Sequence, residues 1–168
     1  MIRRLALASA LFVAVGSAAP SMAVADSNTS NLQISSRVSN SCTISATSLD
    51  FGTYNPAEGS NVTGTVTTNC TAYVNAVITL GQGYYAASGS SDTAPSRRLQ
   101  NAMTTNYLNY NLYQNTGKTA IWGNSTNTGV TVTSNGTEQS TSVYGEIPAG
   151  QTAPSGDYND MVTATVTY

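Results

Sequence analysis

The sequence predicts an all-β sandwich, and three observations support this prediction. The chain is rich in valine and threonine and contains ten tyrosines, a composition that favours extended strands over helices. About eight or nine short stretches alternate apolar and polar residues with the two-residue period of a half-buried strand. Gly, Asn, Ser and Pro separate these stretches, as expected of turns, and no helical period is sustained after residue 25.

The first 25 residues are predicted to be a secretory signal, which is left out of the fold. Arg3 and Arg4 form its positive start, residues 5–19 its apolar middle, and Ala23-Val24-Ala25 a small-residue cleavage site. A membrane anchor is the weaker alternative, because the apolar run is short for a bilayer span. We therefore expect an exported protein without a membrane span after cleavage.

Charge and composition exclude several classes of function. Loss of Arg3 and Arg4 lowers the formal net charge from −2 to −4, which gives nucleic-acid binding no electrostatic support. Histidine is absent, so Ser-His and Cys-His nucleophile systems are excluded and zinc loses its commonest nitrogen ligand. Asp157 and Asp160 are a close carboxylate pair of the kind used in glycoside hydrolysis, but turn formation explains them more simply. We predict no catalytic residue, metal or cofactor.

Cys42 and Cys70 are the two cysteines of the chain. The oxidising compartment expected for an exported protein favours a disulfide between them. A reactive thiol would need a basic or imidazole neighbour, and the chain has no histidine. We expect the pair to be structural.

The strand candidates after Cys42 follow one another with turn signals between them. Val77 adds an apolar residue to the second face of the 73–80 candidate, which favours the centre of a sheet. Asn135-Gly136 predicts a hairpin turn. Trp122 either packs in the core or stacks on a sugar, and core packing is the commoner role. The candidates are residues 49–54, 62–66, 73–80, 97–103, 108–113, 130–132, 143–147 and 158–168.

A further amphipathic strand is predicted at residues 31–38, close to the start of the mature chain. One face carries Leu32, Ile34, Ser36 and Val38, and the opposite face is polar, because successive side chains of a strand point to opposite sides. Such a strand either completes its own sheet or pairs with a sheet of another molecule. Composition alone favours its own sheet.

Several short motifs occur along the chain in a fixed order. Together they resemble the spore coat protein U domain family, found in subunits of archaic chaperone–usher pili, and the resemblance covers nearly the whole mature chain. The motifs are SCTI at 41–44, LDFGTY at 49–54, RRL at 97–99, LNYNLY at 108–113, WG at 122–123, YGEIPAGQ at 144–151, GDYND at 156–160 and VTATVTY at 162–168.

The resemblance implies an immunoglobulin-like sandwich that lacks its final strand and leaves a hydrophobic groove open. A periplasmic chaperone would fill the groove first, and at an outer-membrane usher the N-terminal strand of another copy, or of a related subunit, would replace it. Leu32, Ile34 and Val38 match the apolar positions of such a donor strand. Ser36 departs from the pattern, which has a larger apolar residue at its position.

The resemblance also assigns a role to the end of the chain. Val162, Ala164, Val166 and Tyr168 would border the groove and contact the chaperone. The implied organisation is a signal (1–25), an N-terminal extension with the donor strand (26–40) and one sandwich domain (41–168).

The leading hypothesis is therefore a structural subunit of a cell-surface fimbria, which polymerises by strand exchange and serves attachment or biofilm formation. One alternative is a coat protein of a resting cell. Another is a glycan-binding or surface-binding adhesin, which is expected to carry a second domain.

Overall fold

A computed structural model describes residues 25–168, which form nine β-strands. The predicted signal lies outside these residues except for Ala25. Within the described part of the chain, no helix is long and apolar enough to cross a membrane. The strands are β1 (Cys42–Ala46), β2 (Ser60–Cys70), β3 (Asn75–Leu80), β4 (Arg97–Asn101), β5 (Tyr107–Tyr113), β6 (Val130–Thr133), β7 (Glu138–Ile147), β8 (Tyr158–Asn159) and β9 (Ala164–Thr167), with one 3-10 turn at Thr126–Thr128.

The strands form two antiparallel sheets. The larger sheet has the order β1-β2-β7-β5-β4-β8, and the smaller has the order β6-β3-β9. Both sheets contribute alternate side chains to one apolar core, as in a sandwich. The prediction of an all-β sandwich is therefore confirmed, and β3 occupies the centre of its sheet as residues 73–80 predicted.

Trp122 lies at the centre of this core and is completely buried. Its Nε1–H donates to the carbonyl oxygen of Ile78 over 2.9 Å, so its one polar group is satisfied without water. Core packing, the commoner of the two predicted roles, is the one observed. The core side chains around it are Val66, Ile78, Leu80, Tyr110, Leu112, Val143 and Ile147.

The strand predicted at residues 49–54 is wrong. The Gly52 N–H donates to Asp50 Oδ1 over 2.8 Å, and Gly52 has a φ of +63°, so a local turn interrupts the extended backbone. Leu49 and Phe51 nevertheless pack against the core. The segment thus covers apolar surface without joining a sheet.

The hairpin predicted at Asn135-Gly136 is also wrong, although the turn exists. Gly136 has a φ of +83°, as such a turn requires. However, β6 pairs with β3 in the smaller sheet, whereas β7 pairs with β2 and β5 in the larger sheet. The turn carries the chain from one sheet to the other, and turn residues do not specify which strand pairs across them.

The single last strand predicted at 158–168 is divided into two. β8 pairs with β4 in the larger sheet, and β9 pairs with β3 in the smaller sheet. The chain crosses between the sheets at residues 160–163. There the Met161 and Thr163 carbonyls accept hydrogen bonds from loop amides instead of from a strand.

The chain divides into two units between Ser36 and Arg37. Residues 25–41 form no helix or strand. Leu32, Ile34 and Val38 are 85%, 88% and 80% exposed. The segment predicted as an amphipathic strand therefore has its whole apolar face in solvent.

The predicted disulfide is confirmed, since Cys42 and Cys70 are bonded to each other. The two residues lie directly opposite in the register of β1 and β2. Because β1 pairs with β2 alone, the disulfide fixes an edge strand that is hydrogen-bonded on one side only.

Replacing both cysteines by alanine is expected to lower the free energy of unfolding by about 3–4 kcal/mol, the loop-closure value for a bridge of this length; the bridged residues are 28 positions apart. Urea denaturation of the purified protein measures this change. The matched control replaces Thr43 and Asn69, the neighbouring pair in the same register, with alanine. The stabilising role is contradicted if the cysteine variant costs no more than this control.

Candidate functional site

Two strands on one side of the sandwich each have an unpaired edge. β1 ends the larger sheet and β9 ends the smaller sheet, and these two strands contact each other. A free edge exposes a row of backbone N–H and C=O groups that can pair with another strand. This side of the sandwich is therefore open to strand addition.

A groove extends from the open side across the larger sheet, between two mostly irregular segments of chain. One wall continues from β1 through residues 46–56, and the other wall is formed by residues 153–164. The groove has a narrow part of about 280 Å³ and a wider part of about 640 Å³. Both parts share Leu49, Phe51, Leu99 and Asp160, so they form one continuous depression.

The floor of the narrow part is the hydrophobic core itself. Val66, Leu80 and Val143, which are core side chains of both sheets, line it together with Leu112. These floor side chains are buried within the subunit. The accessible apolar surface of the groove comes from partly buried residues such as Leu49, Phe51 and Val162, and an apolar occupant would cover it.

Asp160 lies where the two parts of the groove meet, and its carboxylate holds three groups. Oδ1 accepts the backbone N–H groups of Tyr84 and Tyr85 over 2.8 and 3.1 Å. Oδ2 accepts the hydroxyl of Tyr110 over 2.7 Å. Asp160 therefore ties the 81–95 loop and β5 to the wall of the groove.

Arg97 lies in the core and is 1% exposed. Its guanidinium donates to the carbonyl oxygens of Leu80, Gly81 and Trp122 over 2.7–2.8 Å. Burial lowers the pKa of Arg97 to about 10, against the opposing attraction of Tyr110 and Asp160. The guanidinium thus links β4 to the end of β3 and to Trp122. Asp160 supplies a compensating negative charge nearby.

The sequence alone left the roles of these polar residues undecided or assigned them elsewhere. Arg97 lies on the same face of β4 as Leu99 and Asn101, because alternate residues of a strand share a face. This alternation was the sequence signal that its side chain points inward. Asp157 is exposed, and Asp160 binds a tyrosine and two amides rather than facing a second carboxylate. Arg98 packs on the ring of Tyr107, with its guanidinium carbon 4.0 Å from the ring centroid.

The residues predicted for the last strand lie along the groove wall or continue from it. Val162 and Ala164 line the narrow part, and Val166 packs on a second apolar cluster beside the disulfide. Tyr168 is 54% exposed. Contact of these residues with a chaperone stays a prediction.

Two sequence comparisons agree on the family of the chain. The family described as Spore Coat Protein U domain matches residues 28–165. The chain is also 39% identical to Protein U of Myxococcus xanthus over 171 residues, which cover 95% of this chain and 96% of that protein.

A comparison of structures gives the same fold. The chain is similar to a chain in the crystal structure of the CsuC–CsuE chaperone–tip adhesion subunit pre-assembly complex from archaic chaperone-usher Csu pili of Acinetobacter baumannii. The TM-score is 0.57 at 22% identity, and the match covers 78% of this chain and 40% of the other. At this identity the similarity concerns the fold.

The Tyr110–Asp160 hydrogen bond predicts that the folded protein loses stability at alkaline pH. Burial raises the pKa of Tyr110, and the bond to Asp160 raises it further. An unfolded tyrosine ionises near pH 10, so above that pH the native state binds more protons than the unfolded chain and stability falls as pH rises.

Tyr110→Phe removes this titration together with the hydrogen bond. We expect the variant to be less stable than the parent at pH 8 and this deficit to shrink by about 1.4 kcal/mol by pH 11. Urea unfolding at both pH values measures the difference. A deficit that stays constant between them would contradict the role assigned to the buried phenol.

Proposed function

The chain belongs to the spore coat protein U domain family, and we propose on this basis that it is a structural subunit of a surface fibre that polymerises by donor-strand exchange. The family is structural, and the chain is not an enzyme. In the proposed assembly, residues 31–38 of one copy enter the groove of the next copy. The observation that carries the proposal is an apolar groove with two unpaired edges in a chain that also exposes an amphipathic segment.

The donor segment is a short strand. Residues 32–38 span about 20 Å when extended, at about 3.3 Å per residue. In the proposed assembly this strand lies between the groove walls at residues 46–56 and 153–164. It reaches the edges of β1 and β9 at Ala46 and Ala164, which line the narrow part of the groove.

The energetics favour insertion. Burial of each large apolar side chain on the donor face contributes about 1.5–3 kcal/mol relative to exposure. Each new backbone hydrogen bond adds roughly 0.5–1.5 kcal/mol. Strand addition of this kind derives affinity from the backbone and specificity from the pockets for alternate side chains.

The same open groove is a hazard before assembly, because an unpaired edge above apolar surface promotes aggregation. We propose that a periplasmic chaperone covers the groove, with β9 as its contact strand, and that an outer-membrane usher exchanges it for the next subunit. The similar Csu structure is a complex of a chaperone with a pilus subunit, which supports the first step. Export and display on the cell surface, with attachment or biofilm formation as the outcome, belong to this proposal.

A coat protein of a resting cell is the second candidate. The family description and the identity of 39% to Protein U favour it. Electron microscopy of producing cells separates the two, since thin surface fibres indicate a pilus and a continuous layer indicates a coat.

Ile34→Asp tests the proposed function. The change carries an unpaired charge into an apolar slot, which costs several kcal/mol. We expect folded, chaperone-bound subunits that do not polymerise. Polymer length on a denaturing gel without boiling, together with the amount of chaperone complex, measures the effect.

Gln33→Asp is the matched control, because the adjacent residue points to the opposite face of the donor strand. This variant is expected to polymerise like the parent. The proposal fails if Ile34→Asp unfolds the isolated subunit while subunits that lack residues 26–38 still polymerise.

A further inference from the structure

The narrow part of the groove contains one charged group in an otherwise apolar and hydroxyl-bearing lining. Among the described residues that line it, Asp160 alone carries a charge. It is half-buried and holds the 81–95 loop and Tyr110 as described above. A strand that covers this carboxylate removes water from it, which is costly unless the strand supplies a hydrogen-bond donor.

The Asp160 carboxylate has capacity for one more donor. A carboxylate offers about four lone-pair sites, and three are used by Tyr84, Tyr85 and Tyr110. A hydroxyl group can fill the fourth site, because it donates one hydrogen bond. An apolar donor side chain would leave that site without a partner.

The donor segment has its own polar exception at Ser36. The other residues on the same face are Leu32, Ile34 and Val38. The donor face thus has one polar residue, Ser36, and the narrow part of the groove has one charged residue, Asp160. An inserted strand can be placed so that these two residues lie opposite each other.

The order of side chains selects one direction of insertion. Inward side chains of a strand are about 6.6 Å apart. If Leu32 and Ile34 occupy the narrow apolar part, Ser36 arrives at the junction where Asp160 lies. Val38 then enters the wider part, where Leu108 and Ile147 supply apolar surface.

The opposite direction gives poorer contacts. With Ser36 kept at Asp160, only Val38 would occupy the narrow apolar part, and Ile34 and Leu32 would enter the wider part near Asp50 and Asp157. Shifted by one position, the reversed strand would instead place Ile34 at Asp160 and leave the fourth acceptor site of the carboxylate without a donor.

We infer that Ser36 of one copy donates its hydroxyl hydrogen bond to Asp160 of the next copy, and that this pair sets the register and direction of the inserted strand. The inference rests on the proposed function, since it needs residues 31–38 in a neighbour's groove. Ser36 is then a specificity residue, which favours strands with a small donor at this position.

Two single variants and their double variant test the pair. They are made in the full chain, co-expressed with its chaperone and usher. Ser36→Asp brings two carboxylates together and is expected to lower the polymer fraction about tenfold. Asp160→Asn keeps an oxygen for the loop amides but removes the carboxylate that accepts from Ser36, so it is expected to lower the polymer fraction about threefold. The double variant is expected to recover polymer to within about threefold of the parent, because the amide donates to the new carboxylate.

Two comparisons separate the possible failures. If Ile34→Asp polymerises normally, the proposed function itself fails. If Ile34→Asp blocks assembly but Asp160→Asn gives no rescue of Ser36→Asp, the pairing alone is wrong.

A second variant decides the case in which Asp160→Asn does not fold. Ser36→Lys places a cation opposite Asp160 and is expected to form at least fivefold more polymer than Ser36→Asp. Equal loss in these two variants would overturn the pairing.

Discussion

The open edge of the sandwich is the constraint on which the other features depend. Two sheets share one core, yet β1 and β9 each lack a partner on the same side, and core side chains such as Val66 and Leu80 form the floor of the groove between them. Unpaired backbone and partly exposed apolar side chains of the groove, such as Leu49 and Val162, favour the same ligand, a strand with an apolar face. The disulfide from β1 to β2 holds one side of this opening in place.

A buried arginine and a half-buried aspartate hold the floor and the other side of the groove. Arg97 binds three carbonyl oxygens inside the core, and Asp160 binds Tyr110 and two loop amides. A sandwich with an open groove has fewer apolar contacts to fix its loops, so hydrogen bonds to charged groups, at roughly 1.5–3 kcal/mol each, take a larger share. They fix the shape of the groove.

The sequence predicted the fold class, the disulfide and the strands with clear alternation, because these depend on local pattern and compartment. It did not predict which sheet each strand joins. The Asn135-Gly136 turn and the 158–168 segment each cross between sheets, and strand partners are set by long-range packing. Arg97 escaped assignment because a charged residue in the core is rare, and its carbonyl partners, at residues 80, 81 and 122, are distant from it in the sequence. The groove is lined by residues that are distant in the sequence, an arrangement that no local pattern displays.

A cryo-electron microscopy map of the assembled fibre tests donor-strand exchange most directly. We predict an extended strand of residues 31–38 from one copy between the β1 and β9 edges of the next copy. Continuous density through residues 39–41 would identify the copy that donates the strand. A map with this segment in the groove of its own copy, or outside every groove, would contradict strand exchange between subunits.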